Sequence, residues 1–300
     1  MNGIFSDIRK NKIGYLLIAP AIICMLMMSV YPLISGIVMS FQNNNMIQAS
    51  SGNIGKFIGF RNYGKLFKND EMFFKSLINT GVWVFFNFIF QMFLGTTAAL
   101  LLNSKFKLRP VYRTFVLIPW IVPSVVAALN WRWMYDSKNG IINILLQRMG
   151  FIDEGITWLG EISTAMPAVI VESIWKGTPF VMLLILAGLQ TIPKDMDEAA
   201  YIDGAGRFRT LISVTLPYIK ESILIAGILT IIHTINNFNA IWLMTAGGPL
   251  GSTEILFTYA YRKAFMQYDF GVSASISTII FSIVAVLTFF YIRIMKWGKE

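Results

Sequence analysis

Residues 198–217, EAAYIDGAGRFRTLISVTLP, stand between two long apolar runs, roughly 164–192 and 218–245. This stretch carries Glu198, Asp203, Arg207 and Arg209 in a chain of which only 14% is charged. It is too short to be a domain, and its order signals are too dense for a linker. Asp195 is placed to cap a helix, and Glu198 three residues later completes the spacing of a capping box. A short helix is expected through Met196, Ala199, Ala200 and Ile202, ended by Gly204 in the left-handed conformation. A second is expected from Arg207 to about Val214, carrying Phe208, Leu211 and Ile212, with Pro217 starting the next apolar run. Two stubby helices with small Ala and Gly residues make a knob that fits a groove, and Glu198 and Asp203 offer anchors for a partner's Arg. The flanking runs decide the fold, because each exceeds the ~20 apolar residues that cross a bilayer.

Working outward, the whole chain reads the same way. Its 300 residues are 55% hydrophobic, with a mean hydropathy of +0.61. Soluble domains carry about 25% charged residues, so this composition excludes one. Six spans are expected, at about 13–41, 76–103, 110–135, 164–192, 218–245 and 270–295. They form one transmembrane domain over 13–295, with an N-terminal segment 1–12, a loop 194–217 inside it and a tail 296–300. The first run follows Arg9, Lys10 and Lys12 like a signal peptide, but its length and Pro32 favour an uncleaved anchor. With the N-terminus inside, fourteen Lys and Arg flank the inner ends of the spans against nine in the outer loops. That bias places both termini in the cytoplasm and accounts for the net charge of +9 without nucleic acid. The single Cys, Cys24, lies in an apolar run and reads as a small hydrophobe.

The loop also resembles a family pattern: Glu198-Ala199-Ala200, two residues, Asp203-Gly204-Ala205, then Leu216-Pro217 ten residues on. This EAA motif resembles the loop by which membrane subunits of binding-protein-dependent ABC importers grip their ATPases. Further matches fall in order along about 10–295. Phe60, Asn62 and Tyr63 with Asn79-Thr80 resemble the first outer loop entering the second span. Gly247-Gly248-Pro249, with Tyr261, Phe265 and Asp269-Phe270-Gly271, resembles the last outer loop. The Thr245-to-Pro249 ending is similar to the larger, first permease of maltose and glycerol-phosphate type systems. The resemblance implies an all-α polytopic protein of six transmembrane helices with the MetI-like permease fold, in the bacterial inner or plasma membrane. It implies a second permease in a heterodimer, two ATP-binding cassette subunits, and an extracytoplasmic sugar-binding protein. No cofactor is expected on this chain, ATP and Mg being held by the ATPases. The large extra periplasmic domain of the maltose system's own larger permease is not seen.

Polar side chains within spans are expensive and mark cavities. The fifth run holds Thr230, His233, Thr234, Asn236, Asn237 and Asn239, with 230, 234 and 237 spaced to share one helical face. Hydroxyls and carboxamides both donate and accept, which suits sugar hydroxyls; in the resembling family this stretch faces the substrate. The same groups could instead tie helices together. In the fourth run Glu172 and Lys176 stand four apart in the favourable order for an ion pair, with Trp175 between them and Pro179 beyond. They read either as mutual neutralisation or as a cavity-lining pair with Trp175 stacking on a sugar ring. His233, the sole His, cannot make a metal site alone.

The chain has no P-loop, no H-E-x-x-H and no G-x-S-x-G, so no catalytic residue is assigned and the energy source must be external. Two other classes stand beside the importer permease. An autonomous secondary transporter or channel for a polar solute would work without an ATPase. An intramembrane enzyme would need a nucleophile and base on adjacent helices, and His233 has no evident partner of that kind.

Overall fold

The computed structural model describes residues 12–47, 54–104, 106–193, 195–196, 200 and 202–297. Five helices are long and apolar enough to span a bilayer: Leu16–Ser40, Glu71–Asn103, Ile162–Leu189, Lys220–Met244 and Phe270–Arg293. The pair Arg109–Ile121 and Ser124–Met134 passes the same test only when taken together, and its arms are bent by 94°, the form of a broken span or a re-entrant loop. Five of the six expected runs are thus long apolar helices and the sixth is the bent pair, in an all-α polytopic fold. The expected single helix over 110–135 is corrected to two arms with an elbow. Its cause is local: Pro123 disfavours helix at the preceding residue, and Val122 sits at φ −61°, ψ 130°. The segments 1–11 and 298–300, covering nearly all of the terminal segment and most of the tail read from the sequence, lie outside the described residues.

The chain divides into two compact units, residues 1–69 with 260–279, and 70–259 with 280–300. In the second unit the fourth span is the packing centre, half of its most apolar window being buried. It meets the second span where Gly95 lies against it; a Cβ there would fall 2.6 Å from Val181 Cβ. Small residues at such crossings let backbones approach and supply the dispersion contacts that hold helices together in lipid. Asp70 starts the second span, its carboxylate accepting from Phe73 N at 3.1 Å and from the Tyr259 hydroxyl at 2.6 Å and 2.7 Å. Outward, Phe85, Phe93 and Phe115 are 59%, 66% and 65% exposed, which suits a hydrocarbon solvent and not water. The Gly247-Gly248-Pro249 turn is fastened within this unit. Asn79 donates to the Gly251 and Glu254 carbonyls, both at 3.0 Å, and Lys75 to the Leu250 carbonyl at 2.7 Å. Thr80 Oγ1 accepts from Leu256 N at 2.9 Å, so Asn79-Thr80 is a clasp for the loop.

The first unit explains the other motif residues. Gln42–Asn43 pairs antiparallel with Lys56–Phe57 after the first span. Asn62, buried, donates to the Ser40 and Gln42 carbonyls, both at 2.9 Å, and the Tyr63 hydroxyl meets Ser40 Oγ at 2.7 Å. Asp269 accepts from Asn45 Nδ2 at 2.9 Å and caps the following helix through Val272 N at 3.1 Å. A Cβ on Gly271 would come 2.6 Å from the Gln42 carbonyl, so only glycine lets the chains touch there.

Candidate translocation cleft and coupling loop

A cleft of about 370 Å³ opens in the second unit among the second to fifth spans and the elbow. It brings together Thr230, His233, Thr234, Asn236, Asn237 and Lys176 of the residues picked out from the sequence. The fifth span is not one continuous helix here. It runs Lys220–Ile235, breaks at Asn236-Asn237, and resumes as Phe238–Met244. The single face expected for 230, 234 and 237 is thereby corrected, since Asn237 sits at the break. Each asparagine competes with the backbone for hydrogen bonds, which is why the helix stops there. Asn236 Nδ2 donates back to the Ile232 carbonyl at 2.9 Å, and Asn237 Oδ1 accepts from Ala240 N at 3.5 Å as the next helix's cap. Asn237 Nδ2 also reaches Ser173 Oγ at 3.4 Å. The Thr234 carbonyl takes the indole N–H of buried Trp83 at 2.9 Å, and Thr230 Oγ1 donates to the Ala226 carbonyl at 2.8 Å.

Other residues complete the lining. Gln91 from the second span donates to Asn87 Oδ1 at 2.9 Å and to the Ser173 carbonyl at 3.1 Å. Trp120 stacks on Phe180 with ring centroids 6.4 Å apart, and Phe180 lies 5.4 Å from the His233 ring, giving an aromatic wall. Asn239 donates to Ser124 Oγ at 2.8 Å, tying the fifth span to the elbow. Gln91 carried a usable signal: it is an amide inside an apolar run, the criterion already applied to the fifth span. Trp120, Ser124, Ser173 and Phe180 carried none, because aromatic and hydroxyl residues are common on any face of a span. Amide and hydroxyl groups beside ring faces can hold a polyhydroxylated solute non-covalently.

Glu172 and Trp175 do not line this cleft. Glu172 is only 1% exposed, and Trp175 packs edge-on to Trp131 at 5.6 Å. Lys176 Nζ does not close the expected ion pair. It donates to the Val122 carbonyl at 2.5 Å and the Pro119 carbonyl at 3.4 Å, at the elbow. The reason is supply: Pro123 has no N–H to offer the Pro119 carbonyl four residues earlier, so an acceptor stands open beside the lysine.

In the loop after the fourth span, Gly204 has φ +73° and Ala205 N donates to the Ala200 carbonyl at 2.9 Å. That is the expected left-handed helix end, in the six-to-one pattern of a Schellman turn. The second short helix differs from expectation. It starts at Arg207, passes through a π turn at Leu211–Thr215, and carries Pro217 inside its last turn, Leu216–Tyr218. The fifth span begins at Lys220 instead. Between the two helices lies a groove of about 460 Å³, bordered by Asp203, Ala205 and Arg209 among others. Leu216 packs on the cluster containing Leu189 and Ile219, which roots the loop in the spans. Glu198 and Ala199 lie outside the described residues.

A bundle of spans around a polar cleft, with a capped loop between the fourth and fifth, defines a polytopic transport subunit. The chain belongs to the family of binding-protein-dependent transport system inner membrane components, whose model matches residues 91–297. It is thus a membrane-embedded permease component, not an enzyme. It is 35% identical over 290 residues to the sulfoquinovosyl glycerol transport system permease protein SmoG of Agrobacterium fabrum, covering 97% of this chain and 92% of that one. It is 34% identical over 292 residues to the trehalose/maltose transport system permease protein MalF of Thermococcus litoralis, covering 97% and 96%. Its fold matches a chain in the crystal structure of a bacterial ABC transporter involved in import of the acidic polysaccharide alginate. That match has a TM-score of 0.85 at 22% identity and covers 99% of both chains.

Proposed function

We propose that this chain forms half of the translocation pathway of an ABC importer for an oligosaccharide or related sugar derivative. The observation that carries this reading is the cleft, in which carboxamides and hydroxyls alternate with aromatic faces inside the spans. The named transport systems of the relatives handle sugar derivatives, which supports the same substrate class. A second, unlike permease supplies the opposing wall, and two ATPases, which bind the ATP and Mg, grip the 194–217 loops from the cytoplasm. Both termini lie on that side, as the distribution of Lys and Arg supports. An extracytoplasmic binding protein delivers the cargo, and closure of the ATPases rocks the permease halves to alternate access.

The test is reconstitution of the chain with its sister permease and ATPases in proteoliposomes, with radiolabelled oligosaccharide and loaded binding protein. ATP-dependent uptake is expected, and Ala at 230, 234 and 237 together should slow it while the ATPases still assemble. Uptake by this chain without ATPases would support a secondary transporter or channel instead. Unchanged uptake in the triple variant would assign these residues to helix packing.

A further inference from the structure

We infer that Lys176 is a two-position latch that exchanges between the elbow carbonyls and the Glu172 carboxylate as the transporter changes state. This goes beyond the proposed function but rests on its alternating-access cycle. Glu172 is buried in the fourth span, and its Oε2 has no hydrogen-bond partner among the described residues. A buried acceptor with nothing to accept is costly, and more so when it is charged. The group suited to it lies one helical turn on. Lys176 follows Glu172 in the order that lets an ammonium reach back to a carboxylate. In this structure that ammonium is engaged elsewhere, on the Val122 and Pro119 carbonyls at the end of the elbow's first arm.

The second arm is pinned from the fifth span, by Asn239 on Ser124 Oγ at 2.8 Å. A 94° break is thus held on both sides by residues that border the cleft. If the arms shift against the fourth span during transport, the two carbonyls leave Lys176. The ammonium can then turn back one helical turn to the Glu172 carboxylate, whose Oε2 has no partner among the described residues. The exchange keeps the lysine paired in both states and avoids leaving a bare ammonium in the membrane. Glu172 and Lys176 are positioning residues on this view, and need not touch cargo.

The assay uses the reconstituted complex with spin labels at residues 121 and 171 in a Cys24→Ser background. Distances are read by pulsed electron resonance without nucleotide and after vanadate trapping, beside ATP-driven uptake. Wild type should show two distances. Glu172→Gln should keep the nucleotide-free distance, lose most of the trapped one, and slow uptake at least about tenfold. Lys176→Arg, which can serve both positions, should retain both states. If Glu172→Gln does not assemble, Glu172→Asp is read in the same way, its shorter arm keeping the charge but missing the lysine. Wild-type distances and uptake in Glu172→Gln would overturn the latch, as would an identical elbow distance in both wild-type states. A defect in Lys176→Met with a silent Glu172→Gln would reduce the lysine to a helix cap. Loss of ATP-driven uptake in the wild-type complex would instead strike the importer reading itself.

Discussion

Gly177 sets how close the second span's Gln91 can lie to the fourth span, and its replacement by Ala is a measurable perturbation of the cleft. A Cβ at this position would fall 2.3 Å from Gln91 Oε1, 2.5 Å from Cδ and 2.7 Å from Nε2. The amide must therefore leave. It would give up its bonds to Asn87 Oδ1 and the Ser173 carbonyl, at 2.9 Å and 3.1 Å. Two such bonds are worth together about 1–3 kcal/mol. Ala gains back up to ~1 kcal/mol of helix propensity over Gly. The net cost of Gly177→Ala is then roughly 0–3 kcal/mol, and the displaced amide has the cleft as its open direction.

A double-mutant cycle separates this cause from general helix damage. Gln91→Ala alone should cost about 1–3 kcal/mol, for the same two bonds. Added to it, Gly177→Ala meets no amide, so it should be neutral or stabilising by up to ~1 kcal/mol. The coupling is therefore expected at about 1–3 kcal/mol, from the half-unfolding temperature of the purified complex at a fixed scan rate. Uptake should fall in Gly177→Ala and recover in the double variant towards the Gln91→Ala level. Additive effects in the cycle would refute the claim that the glycine exists to seat this amide.

Gly204→Ala forces a side chain into a backbone at φ +73°, a strain of roughly 1–2 kcal/mol, and should lower recovery of the ATPases in detergent pull-downs without preventing membrane insertion. Asp70→Ala removes both the cap on Phe73 and the acceptor of the Tyr259 hydroxyl; it should cost about 2–4 kcal/mol, while Tyr259→Phe costs less because the cap survives, both read by thermal unfolding. Backbone N–H groups of Asn139 and Lys138 hold the Asp136 carboxyl below its usual range. A lowered folded-state value favours the turn above the unfolded-state value, and that contribution is lost as pH falls through the folded one. Amide exchange at 138 and 139, corrected for its intrinsic pH dependence, should then lose protection on strong acidification in wild type, but show no such step in Asp136→Ala.

The spans were legible because a bilayer asks for one thing, length of apolar helix, and the sequence supplies it in five long helices and one bent pair. The ends were legible where capping chemistry is local, as at Gly204. The two breaks were missed although their causes stand in the sequence. Pro123 disfavours helix at Val122, and two successive asparagines at 236 and 237 can each bond the backbone. Window hydropathy averages over such residues, since neither lowers the apolar content enough to divide a run. The Lys176 contact was not legible at all. Spacing on one helix pointed to Glu172, whereas the acceptors it found are the Val122 and Pro119 carbonyls at the elbow, the second of them left open by Pro123.

Those breaks matter because they determine how the cleft can grip a solute. Thr230 spends its hydroxyl proton on the Ala226 carbonyl, Asn236 donates to Ile232, and Asn239 donates to Ser124. These three groups thus have partners inside the protein, and what they leave for cargo is residual capacity: hydroxyl lone pairs and second amide protons, beside the ring faces. A wall of this kind costs little when empty and binds weakly when full. Weak binding is what a pathway requires, because a solute held tightly at mid-membrane would not leave. On the importer reading it follows that selectivity does not come from strong contacts here. On that reading, delivery by a binding protein would carry the selectivity that the cleft's contacts do not supply.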